Sequence, residues 1–290
     1  MGLQIRRLSH TMGAEISGID LRKPLDEKSF HAIHTAFLEH CVLLFRGQPL
    51  TREQHVAFSR WFGDLAKYED KSTDKRVPEF PEIYLVVSKP KPNGEAATGR
   101  YTGADWHTDH SHLPAPAQAS LLRSVQIPEV GGDTQFANMY FAYDTLSDGM
   151  KKLLDGLYGV HMEGVAVIDY STPERYAESR RRNLSTAHPI VRVHPETGRK
   201  ALYVSEQVKL LVGMTPEESK PLIQYLTRHA TRPQGVYRHV WQKDDLVMWD
   251  NRCLMHIALA DYDRTRVRHM ERTTVNGTVA CGYAYDGPLE

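Results

Sequence analysis

Residues 241–275 read WQKDDLVMWDNRCLMHIALADYDRTRVRHMERTTV, and this stretch decides the fold. Its first apolar run, Leu246-Val247-Met248-Trp249, has the length and bulk of a buried strand and stops at the turn formers Asp250 and Asn251. A second apolar run over 254–259 carries His256, and a third segment brings Arg264, Arg266, Arg268 and Arg272. A histidine on a buried strand, with arginines on the next, can hold a metal and an anion side by side. Whether it does so depends on ligands elsewhere in the chain.

Outward from this stretch the same short segments recur. Two strands near Leu3–Ile5 and Ile16–Ile19 join through Gly13, and Phe30, Ile33, Phe37 and Leu38 mark one face of a helix. Residues 42–45 read as a buried strand. Thr51-x-x-Gln54 is a capping box that opens a helix ending at Gly63. Lysines and prolines dominate 66–101, where only 83–87 looks like a strand, so most of this region is expected to be a functional loop. Strands follow over 119–125 and 135–137, the latter entered through Gly131-Gly132-Asp133-Thr134, then helical pieces around Ala142 and Leu153. A polar loop over 169–187 precedes a hairpin over 190–204. Thr215-Pro216-Glu217-Glu218 caps a helix towards His229, in which Pro221 is expected to cause a kink or a restart. Many short strands without regular βαβ alternation predict a mainly β fold with flanking helices (α+β) and an antiparallel core.

Composition narrows the function. With 290 residues, 41% hydrophobic and 25% charged, the chain can bury a sizeable globular core. Lys+Arg and Asp+Glu both number 36, so no basic stripe for nucleic acid follows, and Arg180-Arg181-Arg182 among polar neighbours reads as a solvated loop. Cys41, Cys253 and Cys281 are odd in number and scattered, which argues against a disulfide framework and for a reducing compartment. No apolar leader and no membrane-length run is present, so a cytoplasmic protein is expected.

Fifteen histidines and 36 acids should give about two His-x-acid triplets by chance, so a triplet alone is a weak metal signal. Four occur. His194-Pro195-Glu196 falls in a hairpin turn and is expected to be exposed. His161-Met162-Glu163 ends a strand and reads as structural; in His269-Met270-Glu271 the glutamate reads as an ion-pair partner. His107-Thr108-Asp109 differs in its context: Asp105 and Trp106 precede it, His256 lies 147 residues beyond Asp109, and Arg268 and Arg272 follow His256 by 12 and 16 residues. On extended backbone its two side chains share a face, and with one more imidazole they would give two nitrogens and a carboxylate around an ion with open positions, a set suited to non-haem Fe(II). Two imidazoles and a carboxylate also suit zinc, so a zinc hydrolase remains an alternative.

From Leu44-Phe45-Arg46-Gly47-Gln48 through Phe62-Gly63, WHTD (106–109 region), GGDT (131–134), WDNRCLMH (249–256) and Arg268-x-x-x-Arg272, nearly the whole chain resembles the taurine dioxygenase/2,4-dichlorophenoxyacetate dioxygenase family of Fe(II)- and 2-oxoglutarate-dependent dioxygenases. The resemblance implies a double-stranded β-helix (jelly roll) in one domain over 1–290, with an active-site loop region at 66–105. It implies Fe(II) held by His107, Asp109 and His256, with 2-oxoglutarate and O2 as co-substrates. Thr134 and Arg268 match residues that hold the distal carboxylate of 2-oxoglutarate, Trp241 matches a residue lining that pocket, and Arg272 matches the arginine that binds the substrate's anion. Arg264 and Arg266 have no matched role and read as surface residues. His110 and His112 depart from the pattern and are expected to pack behind the ligands, facing away from them on a strand. The segments around 245–256 and 268–275 lie nearest to the aryloxyalkanoate-cleaving members. The expected substrate is therefore a small anionic organic molecule, first an aryloxyalkanoate with ether cleavage, then a sulfonate or alkyl sulfate, then an amino-acid derivative. A non-catalytic metal-binding jelly roll is the remote alternative. The expected partners are that substrate and further copies of the chain in a homo-oligomer, with neither nucleic acid nor membrane.

Overall fold

In a computed structural model of the chain, eight strands make the larger sheet. Their spatial order is β1 (Gln4–Arg7), β2 (Ala14–Ser17), β3 (Val42–Phe45), β14 (Leu246–Asp250), β6 (Ala119–Gln126), β16 (Arg268–Val275), β5 (Phe80–Ser88) and β4 (Arg76–Val77). Every pairing in it is antiparallel except β2 with β3. A three-stranded sheet, β13 (Val236–His239), β7 (Thr134–Asn138) and β15 (Leu254–Ala258), carries the glycine-rich entry segment and His256. A four-stranded sheet has the order β12 (Val208–Leu211), β8 (Tyr158–Met162), β9 (Ser185–Pro189) and β17 (Tyr283–Ala284), and β10 (Val191–Val193) pairs with β11 (Lys200–Leu202) as a hairpin. This is the double-stranded β-helix, mainly β with a few helices. The structure describes residues 2–69, 75–98, 102–162, 171–172, 174–175, 178–179 and 184–289. Arg180–Arg182 and much of the 169–187 loop lie outside them.

The unbroken apolar run of β14 has a direct cause: the strand is covered on both faces. Val247 and Trp249 pack with Phe136, Met255 and Met270 in the interior between the sheets. Leu246 and Met248 pack on the other side with Phe37, Phe45 and Phe58. Strand β3 divides in the same way, with Val42 and Leu44 inside and Leu43 and Phe45 outside. The outer layer belongs to two helices. Glu27–His40 is capped by Asp26 and buries Ile33, Ala36 and Phe37; Arg52–Ser59 opens with the Thr51–Gln54 capping box. Burying side chains of this size stabilises by about 1.5–3 kcal/mol each, so this shared wall is where the two layers are joined.

Two sequence expectations need correction. The region 66–101 is less of a loop than its lysines and prolines suggest, because Phe80–Ser88 is a nine-residue strand paired along the arginine strand from Arg268↔Ser88 to Arg272↔Tyr84. The helix Pro216–Ala230 runs on through Pro221 without a restart. Pro221 is exposed, so water can satisfy the carbonyl its missing N–H leaves open. Among the described residues, no helix is long and apolar enough to cross a membrane.

Candidate active site

His107 and His256 are tied together by backbone. Each accepts the other's N–H, His107 N to His256 O at 3.0 Å and His256 N to His107 O at 2.8 Å, so a residue from the loop region becomes a one-residue extension beside β15. Their rings lie 4.1 Å apart between centroids. Asp109 follows two residues later, where a turn begins, its oxygens 3.9 Å from His107 Nε2 and 3.8 Å from His256 Nε2. One donor atom from each of the three lies within 4.8 Å of the other two. Donors about 2.0–2.2 Å from a single ion stand at most about 4.4 Å apart, so the carboxylate's 3.9 and 3.8 Å separations from the two imidazoles fit one metal ion.

The surroundings prepare the donors. His107 Nδ1 lies 2.8 Å from the Asp105 carbonyl, which fixes the N–H on that nitrogen and leaves Nε2 bare. Burial lowers the pKa of both imidazoles, and for His256 the proximity of His107 adds to it, which favours the neutral, donor form of each. Burial pushes Asp109 the other way, but Arg272, then His256, His107 and the Ser120 hydroxyl, outweigh it and hold the carboxylate well below its usual range. Ser120 Oγ donates to Asp109 Oδ2 at 2.6 Å and accepts from Asn251 Nδ2 at 3.0 Å; Asn251 Oδ1 accepts from Trp249 Nε1 at 3.0 Å. Asn251, read from sequence only as a turn former, thus anchors a chain of hydrogen bonds to Asp109. The available signal was a polar residue directly after a wholly buried strand.

The other anticipated residues gather close by. Trp241 Nε1 donates to Thr134 Oγ1 at 3.1 Å, and Arg268 Nε donates to the Gly132 carbonyl at 3.0 Å. Gly132 has φ +74°, and an added Cβ would lie 3.2 Å from Arg268 Cδ and Nε, so any other residue here would strain the turn and push the arginine aside. Arg268 lines a cavity of about 230 Å³ with Lys75, Lys89, Thr102 and Arg264. Arg268 and Arg272 are both buried on β16, and Arg272 donates to Asp109 Oδ1 at 2.5 Å while lying 5.2 Å from the Tyr84 ring. A guanidinium fork in such a place suits a carboxylate or sulfate.

The decoy triplets separate cleanly, one of them against expectation. His194 is buried, not exposed: its Nδ1 accepts the N–H groups of Glu196 and Thr197, so the turn wraps its own histidine, and Nε2 lies 3.1 Å from Asp250 Oδ2. His194, Asp250 and Cys253 also bring donors within 4.8 Å of one another, but Arg252 grips Asp250 through two hydrogen bonds of 2.8 and 2.7 Å. Glu271 pairs with Arg52 and Arg123 as expected, and His161 is buried in β8, while Glu163 lies outside the described residues. His110 and His112 stand in a turn and not on a strand. His110 has φ +54° and its Nε2 sits 3.4 Å from Tyr68 Oη. Tyr68 and Tyr84, whose rings are 4.9 Å apart, carried no sequence signal and form the aromatic side of the site.

The profile of the taurine catabolism dioxygenase TauD, TfdA family matches residues 4–274. The chain is 36% identical to an alkylsulfatase of Acinetobacter baylyi over 97% of this chain and 87% of that protein. It is 33% identical to an alpha-ketoglutarate-dependent 2,4-dichlorophenoxyacetate dioxygenase of a Burkholderia species, over 91% of each. Among solved structures, AAD-2 in complex with Mn(II) and N-oxalylglycine superposes with a TM-score of 0.82 at 33% identity, covering 97% of this chain and 99% of that one. A taurine dioxygenase from Burkholderia xenovorans superposes with a TM-score of 0.79 at 38% identity, covering 99% and 95%. The chain belongs to the TauD/TfdA family. It is an alpha-ketoglutarate-dependent dioxygenase, whose chemistry uses Fe(II), 2-oxoglutarate and O2.

Proposed function

We propose that the enzyme oxidises a small organic anion with an apolar or aromatic body, first of all an aryloxyalkanoate, at a ferrous ion held by His107, Asp109 and His256. The observation that carries this reading is the position of Arg272, which touches Asp109 while facing Tyr84. An anion paired with it lies beside the metal, and the tyrosines offer a wall for the rest of the substrate. Bound Fe(II) with 2-oxoglutarate supplies O2 activation, coupled to decarboxylation of the co-substrate to succinate. Thr134 and Arg268 bind the distal carboxylate of 2-oxoglutarate beside Trp241, and Ser120 and Asn251 orient Asp109. Hydroxylation at a carbon bearing an ether oxygen gives a hemiacetal, which separates into an aldehyde or keto acid and a phenol.

A sulfate ester or sulfonate is the second reading, supported by the alkylsulfatase at 36% identity. Both readings place the anion on Arg272. Succinate release measured across aryloxyacetates, alkyl sulfates and alkanesulfonates tests them, and stimulation by the sulfates alone replaces the first reading with the second. Arg272→Ala is expected to raise the KM of the organic substrate about 100-fold with little change for 2-oxoglutarate, and Arg268→Ala to do the reverse. Equal effects on both would mean that the two roles are wrongly divided.

A further inference from the structure

Arg272 has two anions to serve. Among the described residues Asp109 is its carboxylate partner, through Nη1 and Oδ1, and its buried Nε has no hydrogen-bond partner. The other oxygen of Asp109 is occupied by Ser120. Each oxygen also faces one imidazole, Oδ1 at 3.9 Å from His107 Nε2 and Oδ2 at 3.8 Å from His256 Nε2, so the carboxylate that Arg272 grips is the one in the metal donor set. A divalent cation and a guanidinium converging on one carboxylate repel each other, and burial leaves that repulsion poorly screened.

We propose that Arg272 is a positioning residue shared between Asp109 and the substrate's anion, so that anion binding and metal binding reinforce each other. This rests on the assignment of Arg272 and the metal ligands given above. In the metal-free protein the guanidinium neutralises Asp109, a carboxylate that would otherwise be buried uncompensated. When an anion arrives, the guanidinium turns its charge to that partner, and Asp109 is released to donate fully to the ion. The orphaned Nε gives the guanidinium spare capacity for the anion. The coupling is reciprocal: an anion on Arg272 tightens metal binding by the same factor by which the metal tightens the anion.

Mn(II) binding, followed by the loss of the free-ion EPR signal, tests this without turnover, with inorganic sulfate as the anion. In the wild-type protein, sulfate is expected to tighten Mn(II) binding about tenfold, equivalent to about 1.4 kcal/mol, relative to chloride at the same ionic strength. Arg272→Gln is expected to bind Mn(II) about tenfold tighter without sulfate and to lose the sulfate response. Arg272→Lys, which keeps the charge, is expected to stay near wild type in chloride. Glutamine-variant binding no tighter than wild type overturns the proposal, and so does a wild-type affinity that sulfate leaves unchanged. The sulfate arm decides alone if the glutamine variant does not fold. Wild-type protein that takes up no Mn(II) at all would instead refute the metal assignment.

Discussion

Asp109 is the residue on which the site turns, because each of its oxygens has a donor besides any metal. Ser120→Ala removes the neutral donor and leaves the charged one. Metal affinity is expected to fall about tenfold, in the range typical of residues that orient a ligand, with the melting temperature of the metal-free protein changing little. Titration with Mn(II) reads this, and unchanged affinity would mean that Arg272 and the backbone suffice. Gly132→Ala should act at a distance from the metal: its Cβ presses on Arg268, so the KM for 2-oxoglutarate should rise about tenfold while Mn(II) affinity holds. The convergence of His107, Asp109 and His256 was legible in the sequence, since the three sit in motifs that jointly exceed chance. The burial of His194 was not. A hairpin turn is usually exposed, and only the three-dimensional structure shows this one folding its N–H groups onto its own imidazole.

Among the elements, β16 joins function to stability. Alternate residues point to opposite sides, so Arg268, Met270 and Arg272 face the interior while Glu271 faces the helical layer. There Glu271 receives Arg52 at 2.7 Å and Arg123 at 2.7 Å. Glu271→Gln leaves two guanidiniums short of a charge at a buried position and should cost about 3 kcal/mol in urea unfolding, with 2-oxoglutarate KM nearly unchanged. A cost below about 1 kcal/mol would show that the cluster is solvated. The run at β14 and the capping boxes at Thr51 and Thr215 were readable because their signals are local. Strand β5 was legible at its centre, 83–87, and hidden at its ends. Its ends, Phe80-Pro81-Glu82 and Ser88, carry turn and charge signals, and pairing with β16, a contact distant in sequence, extends it.

Across the whole molecule, buried histidines set the response to acid. Burial, then the Arg123 charge, lowers the pKa of His55 to about 3, and burial, then the Arg192 charge, lowers that of His188 to about 4. Both are neutral in the fold, while the unfolded chain takes up their protons near pH 6.5. Their contribution is complete above that pH and is lost as pH falls towards 4 and 3, at about 1.4 kcal/mol per pH unit for each histidine. The melting temperature should therefore fall steadily between pH 6.5 and 4. A flat profile there would mean that these imidazoles find protons without unfolding.

The most direct test of the central claim is anaerobic addition of 2-oxoglutarate to the Fe(II)-loaded protein, watched in the visible spectrum. A chelated keto acid on a ferrous ion with three protein donors gives a metal-to-ligand charge-transfer band. That band is predicted in the wild-type protein, at higher 2-oxoglutarate concentration in Arg268→Ala, and not at all in Asp109→Ala. No band in the wild type, or an undiminished band without Asp109, would contradict the account.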